Sequence, residues 1–209
     1  MKKTDLLLIG AGGHASACID VIETIGDFNI VGLVGLPSEI GSKKLGYEVI
    51  GSDADLIILG EKYSNCLITL GQIDSPESRM DLFNRAKKAG FTFPSIISKR
   101  AYLSSHASVG EGTILMHDSV VNAGAVIGRN CIINTRALIE HDSKIGDNCH
   151  ISTGAIVNGS TEIADNVFIG SSSTIKNGLK VGFGVVVGMG LNVLKDLDSK
   201  TIYLGPDRK

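Results

Sequence analysis

The chain has 209 residues and a mass of 22.0 kDa, with 26 glycines, six phenylalanines, four tyrosines and no tryptophan. Its net charge of −2 and the absence of a Lys/Arg block argue against a nucleic-acid surface. No apolar run approaches the roughly 18 residues that cross a bilayer, and the apolar stretch at the N-terminus is too short for a signal peptide. Four widely spaced cysteines without a C-x-x-C pair predict a reduced, cytoplasmic protein.

The first hundred residues alternate between strand and helix patterns. The elements predicted in chain order are strands at 5–9, 29–34 and 66–70 and helices at 16–25 and 77–88. This alternation favours a small parallel α/β domain of the Rossmann-like βαβ type over residues 1–98.

A glycine-rich turn, G-A-G-G-H at residues 10–14, separates the first strand from the first helix. Such a turn presents backbone N–H groups and a helix N-terminus to a phosphate. It fits G-x-G-x-x-G only loosely, and a tight turn without a ligand is the alternative. His14 favours the phosphate interpretation because its imidazole can donate to a diphosphate. A full dinucleotide domain needs about 150 residues, so this shorter segment favours a nucleotide sugar over NAD.

From residue 103 onward the chain has a period of six. Every sixth residue from Leu103 to Val193 is aliphatic, sixteen in all, and a second, mostly small column follows each by four positions. Glycine often follows the aliphatic residue, as at Gly110, Gly128 and Gly146, where we expect it to allow tight turns. A hexapeptide repeat explains this register, since three short strands form one triangular coil of about 18 residues. A run of ordinary alternating strands is the alternative.

The repeat also bears on two cysteines. Cys131 and Cys149 are separated by three hexads, which is one full coil, and should stack in one column. They are either a redox pair or two small hydrophobic residues at a corner, and a reducing compartment favours the second interpretation.

Chemistry on such a scaffold has to come from polar residues that break the repeat. His141 stands between Glu140 and Asp142, and a carboxylate that holds an imidazole makes it a general base. Gly159 follows one coil later, about one strand spacing or roughly 4.8 Å away. It would leave space for an acyl group, and its N–H would face a developing oxyanion. A solvated turn residue is the alternative interpretation of His141.

The other histidines give weaker signals. His150 is half a coil from His141 and would meet it only across a corner or through an adjacent subunit. His106 and His117 are not flanked by acids on both sides, as His141 is, and are interpreted as surface residues. No H-x-H or C-x-x-C spacing supports a metal site.

These motifs together resemble the PglD/sialic acid O-acetyltransferase-type (NeuD-like) family of hexapeptide acyltransferases. The resemblance rests on residues 8–14, Glu140-His141-Asp142, residues 149–152 and Gly170. It implies a left-handed parallel β-helix over residues 99–193, followed by a tail at 194–209. It further implies a homotrimer that uses acetyl-CoA, without a metal, in polysaccharide or O-antigen biosynthesis. The implied substrate is a UDP- or dTDP-linked 4-amino-4,6-dideoxyhexose acetylated on its 4-amino group.

The resemblance also implies roles for single residues. His141 is similar to the catalytic base and Asp142 to its acidic partner, while Asn134 and His150 are similar to acceptor-site residues. The residues implied to contact the nucleotide diphosphate are Gly12, Gly13 and His14. The residues implied to contact acetyl-CoA are Gly159, Ser171 and Met189.

The chain departs from the family pattern at two places. The second strand ends Val34-Gly35-Leu36-Pro37, where relatives carry an acid that contacts the base or ribose. The tail ends Gly205-Pro206-Asp207-Arg208-Lys209 instead of Gly-x-Pro-Ala-Lys, although Arg208 and Lys209 retain charges suited to the CoA phosphates.

Three hypotheses remain open from sequence alone. The first is a nucleotide-sugar N-acetyltransferase with direct transfer from acetyl-CoA. The second is an O-acetyltransferase acting on sialic acid or another sugar hydroxyl, because the same base serves a hydroxyl. The third is a non-catalytic assembly module that uses the β-helix as a scaffold.

Overall fold

A computed structural model describes residues 3–73 and 75–205. Contacts divide the chain into two compact units. The first is formed by Met1–Gly71 and Glu77–Ile96, and the second by Gln72–Pro76 and Ile97–Lys209. The short segment 72–76 therefore belongs to the second unit although the chain on both sides of it belongs to the first. The predicted charged tail residues Arg208 and Lys209 lie outside the described residues.

The first unit is an α/β domain, as predicted. Its elements are β1 (Thr4–Ile9), α1 (Gly13–Ile25), β2 (Phe28–Gly35), β3 (Lys43–Lys44), β4 (Tyr47–Ser52), α2 (Leu56–Lys62), β5 (Cys66–Ile68) and α3 (Glu77–Lys88). The sheet order is β3-β4-β2-β1-β5, parallel except for the β3–β4 pair. β2 and β4 lie on one side of β1 in the sheet, and β5 pairs with β1 on the other side. The carboxyl ends of β1, β2 and β5 therefore meet at the point where such sheets bind ligands.

Burial explains these elements. The side chains of residues 6–9 in β1 are fully buried, which is typical of a parallel strand covered on both faces. Arg79 of α3 is also buried, and its Nη1 donates to the carbonyls of Ile68 and Leu70 at 2.7 and 2.8 Å. The guanidinium thus satisfies carbonyls at and just after the end of β5 that would otherwise be buried without donors.

The second unit is a left-handed parallel β-helix, as the family resemblance implied. From β6 to β22 a strand of two residues recurs every six residues, and one further strand follows. These are β6 (Ile96–Ile97), β7 (Tyr102–Leu103), β8 (Ser108–Val109), β9 (Ile114–Leu115), β10 (Val120–Val121), β11 (Val126–Ile127), β12 (Ile132–Ile133), β13 (Leu138–Ile139), β14 (Lys144–Ile145), β15 (His150–Ile151), β16 (Ile156–Val157), β17 (Glu162–Ile163), β18 (Phe168–Ile169), β19 (Thr174–Ile175), β20 (Lys180–Val181), β21 (Val186–Val187), β22 (Asn192–Val193) and β23 (Ile202–Tyr203).

Each strand pairs with its counterpart in the next coil, so the coils build three faces. We call them face 1 (β7, β10, β13, β16, β19, β22), face 2 (β8, β11, β14, β17, β20) and face 3 (β6, β9, β12, β15, β18, β21, β23). Corner 1–2 is the edge where the chain turns from face 1 to face 2, and corner 3–1 is the edge from face 3 to face 1. These corners carry the polar residues discussed below.

The interior of the prism follows the two predicted columns. Every sixth residue from Leu115 to Val193 is buried, while Leu103 and Val109 of the first coil are partly buried. In the small column Cys131 and Cys149 stack one coil apart as buried free thiols, and the Cys149 N–H lies 3.4 Å from Cys131 Sγ. A narrow core of stacked aliphatic and small side chains accounts for the low aromatic content of this half.

The glycines that follow the aliphatic column serve a different purpose from the predicted one. The left-handed backbone positions recur at 112, 118, 124, 130, 136, 142 and onward, three residues after each aliphatic residue. Gly128 is not among them. A Cβ at Gly128 would lie 2.7 Å from the carbonyl of Gly146 in the next coil, so close backbone approach requires glycine there. The prediction that these glycines serve the turns is therefore wrong.

Among the described residues, no helix has both the length and the apolar character needed to span a membrane.

Candidate functional site

His141 and Asp142 form a hydrogen-bonded pair on corner 1–2, directly after β13. His141 Nδ1 lies 2.9 Å from Asp142 Oδ2. Because a carboxylate only accepts, Nδ1 carries the proton and donates it, and Nε2 keeps its lone pair. The His141 side chain is 62% exposed, so Nε2 is accessible to a ligand. The pair thus has the tautomer that a general base requires.

The acidic surroundings raise the pKa of His141 above its ordinary value. The hydrogen bond to Asp142 is the largest cause; partial burial opposes it, and the charges of Asp142 and Glu140 add to it. Glu140 is itself held in place, because its Oε2 accepts from Asn122 Nδ2 at 3.0 Å and from the His141 N–H at 3.2 Å. His141 is therefore a stronger base than an isolated histidine.

Gly159 lies beside the free nitrogen of His141, one coil further along the same corner. A Cβ built on Gly159 would stand 2.7 Å from His141 Nε2 and 2.8 Å from its Cε1. Glycine is required at this position because the imidazole ring itself occupies the place that a side chain would take. Within the described residues, the Gly159 N–H has no hydrogen-bond acceptor, although the Gly159 carbonyl accepts from Gly178 N at 3.0 Å. The exposed base thus lies directly against a glycine whose N–H has no acceptor among the described residues.

Two features that orient Asp142 were missed in the sequence. Asp142 occupies one of the recurring left-handed positions, with φ 60°, and its N–H donates to the Ala123 carbonyl at 3.1 Å. Gly124, one coil earlier, has φ 76° and leaves the space that the Asp142 carboxylate fills. The sequence signal for this contact was the interval of three hexads between positions 124 and 142, because residues one coil apart stack on each other.

Asn134 and His150 lie elsewhere on the prism, in the coil around face 3 and corner 3–1. Asn134 Nδ2 donates to His150 Nε2 at 3.0 Å, and His150 Nδ1 donates to the Gln72 carbonyl at 2.5 Å. His150 is only 6% exposed and packs edge-on against Phe168, with ring centroids 5.2 Å apart. Both ring nitrogens are thus engaged by the chain, so within one chain His150 orients Asn134. Gln72, which sequence reasoning missed, also donates from Nε2 to the Asn148 carbonyl at 3.0 Å.

Ser171 and Met189, the residues implied to contact the CoA arm, share corner 3–1 with Asn134. The hydroxyls of Ser171 and Ser152 are 2.9 Å apart, and Met189 is 79% exposed. One chain therefore places these residues and His141 on different edges of the prism.

The α/β unit contains a cavity of about 580 Å³ at the carboxyl ends of β1, β2 and β5. This volume lies within the range of about 300–1,000 Å³ that is typical of small-ligand sites. The residues that line it are Gly10, Ala11, Gly12, Val34, Gly35, Leu36, Glu39, Asp53, Leu70, Glu77, Ser78, Asp81 and Leu82.

The glycine-rich turn forms the floor of this cavity. Gly10 has φ 123°, and a Cβ there would lie 2.9 Å from Leu70 N, so the turn requires glycine. Gly12 lines the cavity and caps α1 without any side-chain hydrogen bond, which leaves the helix N-terminus suited to an anion. Gly13 and His14 are the first residues of α1 and do not line the cavity.

Two of the cysteine thiols are affected by burial. Burial raises the pKa of Cys18 to about 12 and the pKa of Cys149 well above its ordinary value, so these thiols stay protonated. Among the described residues, no group of His, Cys, Asp and Glu is arranged to hold a metal ion.

Comparison with known families decides what these two units are. The PglD N-terminal domain model matches residues 5–86. The bacterial transferase hexapeptide model (six repeats) matches residues 106–141 and 142–177, and a model of the hexapeptide repeat of succinyl-transferase matches 161–195. The chain thus combines a region that matches the PglD N-terminal domain with a run of bacterial transferase hexapeptide repeats. These two matches support the resemblance predicted from the sequence motifs.

Solved structures of the same architecture extend the comparison over nearly the whole chain. PerB from Caulobacter crescentus, solved with CoA and GDP-perosamine, is 27% identical, with a TM-score of 0.89 over 98% of this chain and 95% of that one. A single-residue variant of a perosamine N-acetyltransferase from the same organism, also with CoA and GDP-perosamine, is 27% identical, with a TM-score of 0.87 over 93% and 90%. The acetyltransferase domain of PglB from Neisseria gonorrhoeae, with acetyl coenzyme A, is 28% identical, with a TM-score of 0.88 over 99% and 98%. No curated protein matches the chain.

Proposed function

We propose that the chain is an acetyl-CoA-dependent N-acetyltransferase that acts on the amino group of a nucleotide-linked amino sugar. The observation that carries this proposal is the geometry at corner 1–2. Asp142 fixes the His141 tautomer, and the exposed imidazole of His141 lies against Gly159, one coil further along the same corner. PerB, which binds CoA and GDP-perosamine, and the PglB domain, which binds acetyl-CoA, support the donor and the acceptor class.

The chemistry proceeds by direct transfer. His141 Nε2 takes a proton from the sugar amine as the amine nitrogen bonds to the thioester carbonyl carbon. The Gly159 N–H donates to the oxyanion that forms on the carbonyl oxygen. The carbon–sulfur bond then breaks, the CoA thiolate leaves, and the proton held by His141 passes to that sulfur. No acyl-enzyme is required, in keeping with the protonated state of the buried Cys18 and Cys149 thiols.

A complete site on this proposal uses two copies of the chain. Corner 1–2 carries His141, whereas corner 3–1 carries Asn134, Ser171 and Met189, and these are separate edges of one prism. A cyclic homotrimer places corner 3–1 of one copy against corner 1–2 of the next. A chain that sediments as a monomer at assay concentrations would contradict this part of the proposal.

Release of the CoA thiol tests the activity. We expect turnover with at least one member of a panel of UDP-, dTDP- and GDP-linked amino sugars, and a product that carries one acetyl group on nitrogen. The matched control replaces each amino sugar with the corresponding hydroxyl sugar. Thiol release only with the hydroxyl sugars, giving a hydroxylamine-labile ester, would establish an O-acetyltransferase instead. No release with any acceptor would overturn the proposal.

The Asp142→Asn variant tests the base through its pH dependence. The reaction needs neutral His141, so kcat/KM falls as the pH drops through the pKa of His141. Asp142 raises that pKa, so the wild-type fall occurs at higher pH than it would for an isolated histidine. Asparagine keeps an oxygen that accepts from Nδ1 and tolerates the left-handed backbone, but it removes the charge. We expect the acidic limb of the profile to move to lower pH.

The control for this experiment is Asp118→Asn, which removes the same charge at another left-handed turn position, φ 59°, where Asp118 pairs with Arg100. Its acidic limb should coincide with that of the wild type. A limb that stays in place or moves to higher pH in the Asp142 variant would show that His141 is not the titrating base.

A further inference from the structure

Glu39 supplies a carboxylate at the end of β2, where the strand itself lacks one. The strand ends at Gly35, and the bare backbone leaves space above it. A Cβ at Gly35 would lie 2.8 Å from Glu39 Oε2, so the Glu39 carboxylate fills the place of a side chain at the strand end. A residue four positions later in the chain thus provides the charge that no residue at the end of the strand carries.

The local turn holds this carboxylate in place. Pro37–Glu39 form one turn of 3₁₀-helix, and Glu39 Oε2 accepts from the Leu36 N–H at 2.8 Å. Among the described residues, Oε1 of the same carboxylate has no donor, and no cation lies within ion-pair distance. Glu39 lines the cavity, so Oε1 is available to a ligand there.

Two of the three other acids that line the cavity differ from Glu39. Asp53 and Asp81 lie 3.8 and 3.3 Å from Arg85 Nη1, so a guanidinium already contacts both carboxylates. Among the described residues no cation contacts Glu39, so its Oε1 can accept a hydrogen bond from a ligand.

The sheet order specifies which part of a nucleotide meets Glu39. β2 is the neighbour of β1 in the sheet, and the phosphate-binding turn at residues 10–12 follows β1. When a diphosphate lies at such a turn, the adjoining ribose reaches the end of the second strand, where a carboxylate accepts from its 2′-hydroxyl. A ribose hydroxyl is a donor from which Glu39 Oε1 can accept.

We propose that Glu39 accepts a hydrogen bond from the ribose 2′-hydroxyl of the nucleotide, so that the substrate is a ribonucleoside diphosphate sugar. This inference rests on the proposed function and narrows its substrate class. UDP- and GDP-linked sugars carry the required hydroxyl, whereas a dTDP-linked sugar lacks it. The dTDP option that the sequence left open is accordingly disfavoured.

The test is calorimetric binding of matched pairs to the full chain: UDP against 2′-deoxy-UDP, and GDP against 2′-deoxy-GDP. A hydrogen bond to a charged group predicts that the ribose form binds about tenfold to a hundredfold more tightly for at least one base. In Glu39→Gln the amide oxygen still accepts from the Leu36 N–H, so the turn is kept. We expect this variant to bind the ribose and deoxyribose forms within about threefold of each other.

The matched control is Glu61→Gln, an exposed glutamate of α2 outside the cavity, which should keep the wild-type ratio. Equal binding of both sugars by the wild type would overturn the inference, as would an unchanged ratio in Glu39→Gln or the failure of every diphosphate to bind. These measurements do not depend on acetyl transfer. A chain that discriminates ribose through Glu39 but transfers no acetyl group would support this inference while contradicting the proposed function.

Discussion

Replacement of His141 with alanine is expected to lower kcat for acetyl transfer by about 10²- to 10⁴-fold, with little change in KM. The amine must lose a proton as it attacks the thioester, and in this variant only water remains to take it. The imidazole is largely exposed, so its removal should cost little stability. The loss should therefore appear in the chemical step and not in thermal stability.

Steady-state kinetics with a saturating acceptor, together with thermal unfolding, measure both quantities. His106→Ala is the matched control, because His106 is also an exposed histidine on corner 1–2, two coils before Asp142. It should retain wild-type kcat. A His141 variant that still transfers acetyl groups at the wild-type rate would mean that the base lies elsewhere, or that the chain is an assembly module with adventitious turnover.

The β-helix was predictable because its physical rule is periodic. A narrow prism requires an aliphatic residue at the same point of each hexad, and the column from Leu115 to Val193 meets that requirement at every position. Three faces require three hexads in each coil. His141 and Gly159 are three hexads apart in the sequence, so their closeness could be predicted. The pairing of His141 with Asp142 needed only their adjacency in the chain.

The prediction from the same periodicity was wrong about the glycines that follow the aliphatic column, which it assigned to tight turns. Gly128 was assigned to a turn, but the turn position of that hexad is Asn130, which takes a positive φ of 54°. Asparagine, aspartate and serine share that backbone with glycine at the repeated corners, so a turn position need not be a glycine. At Gly128 glycine is required because the backbone of the next coil approaches closely. The hexad pattern does not indicate how close the backbones of successive coils come.

The residues missed altogether lie where the chain has no repeat. Glu39 reaches the end of β2 only because a 3₁₀ turn folds back over Gly35, and no spacing rule signals such a turn. Gln72 contacts His150 across 78 positions of sequence, through a segment that belongs to the second unit although β5 precedes it. Long-range contacts of irregular segments depend on the assembled fold, so a single sequence does not reveal them.

Gly159→Ala is expected to lower kcat by about 10²-fold while leaving the fold intact. The added methyl would lie 2.7 Å from His141 Nε2 and 3.2 Å from its Cδ2, closer than nonbonded atoms allow. Gly159 has no left-handed backbone angle, so alanine adds no backbone strain. The exposed imidazole would turn aside at little cost in stability, and its nitrogen would leave the position from which it reaches the amine.

A double variant separates displacement of the base from other effects of the methyl group. If Gly159→Ala acts through His141, then His141→Ala with Gly159→Ala should be no slower than His141→Ala alone, because a base that is absent cannot be displaced. Multiplication of the two losses would show instead that the methyl blocks the acyl group or the N–H donor independently of His141. Wild-type kcat in the single Gly159 variant would place the reacting atoms away from this corner. The comparison thus tests whether catalysis depends on the close approach between Gly159 and the imidazole.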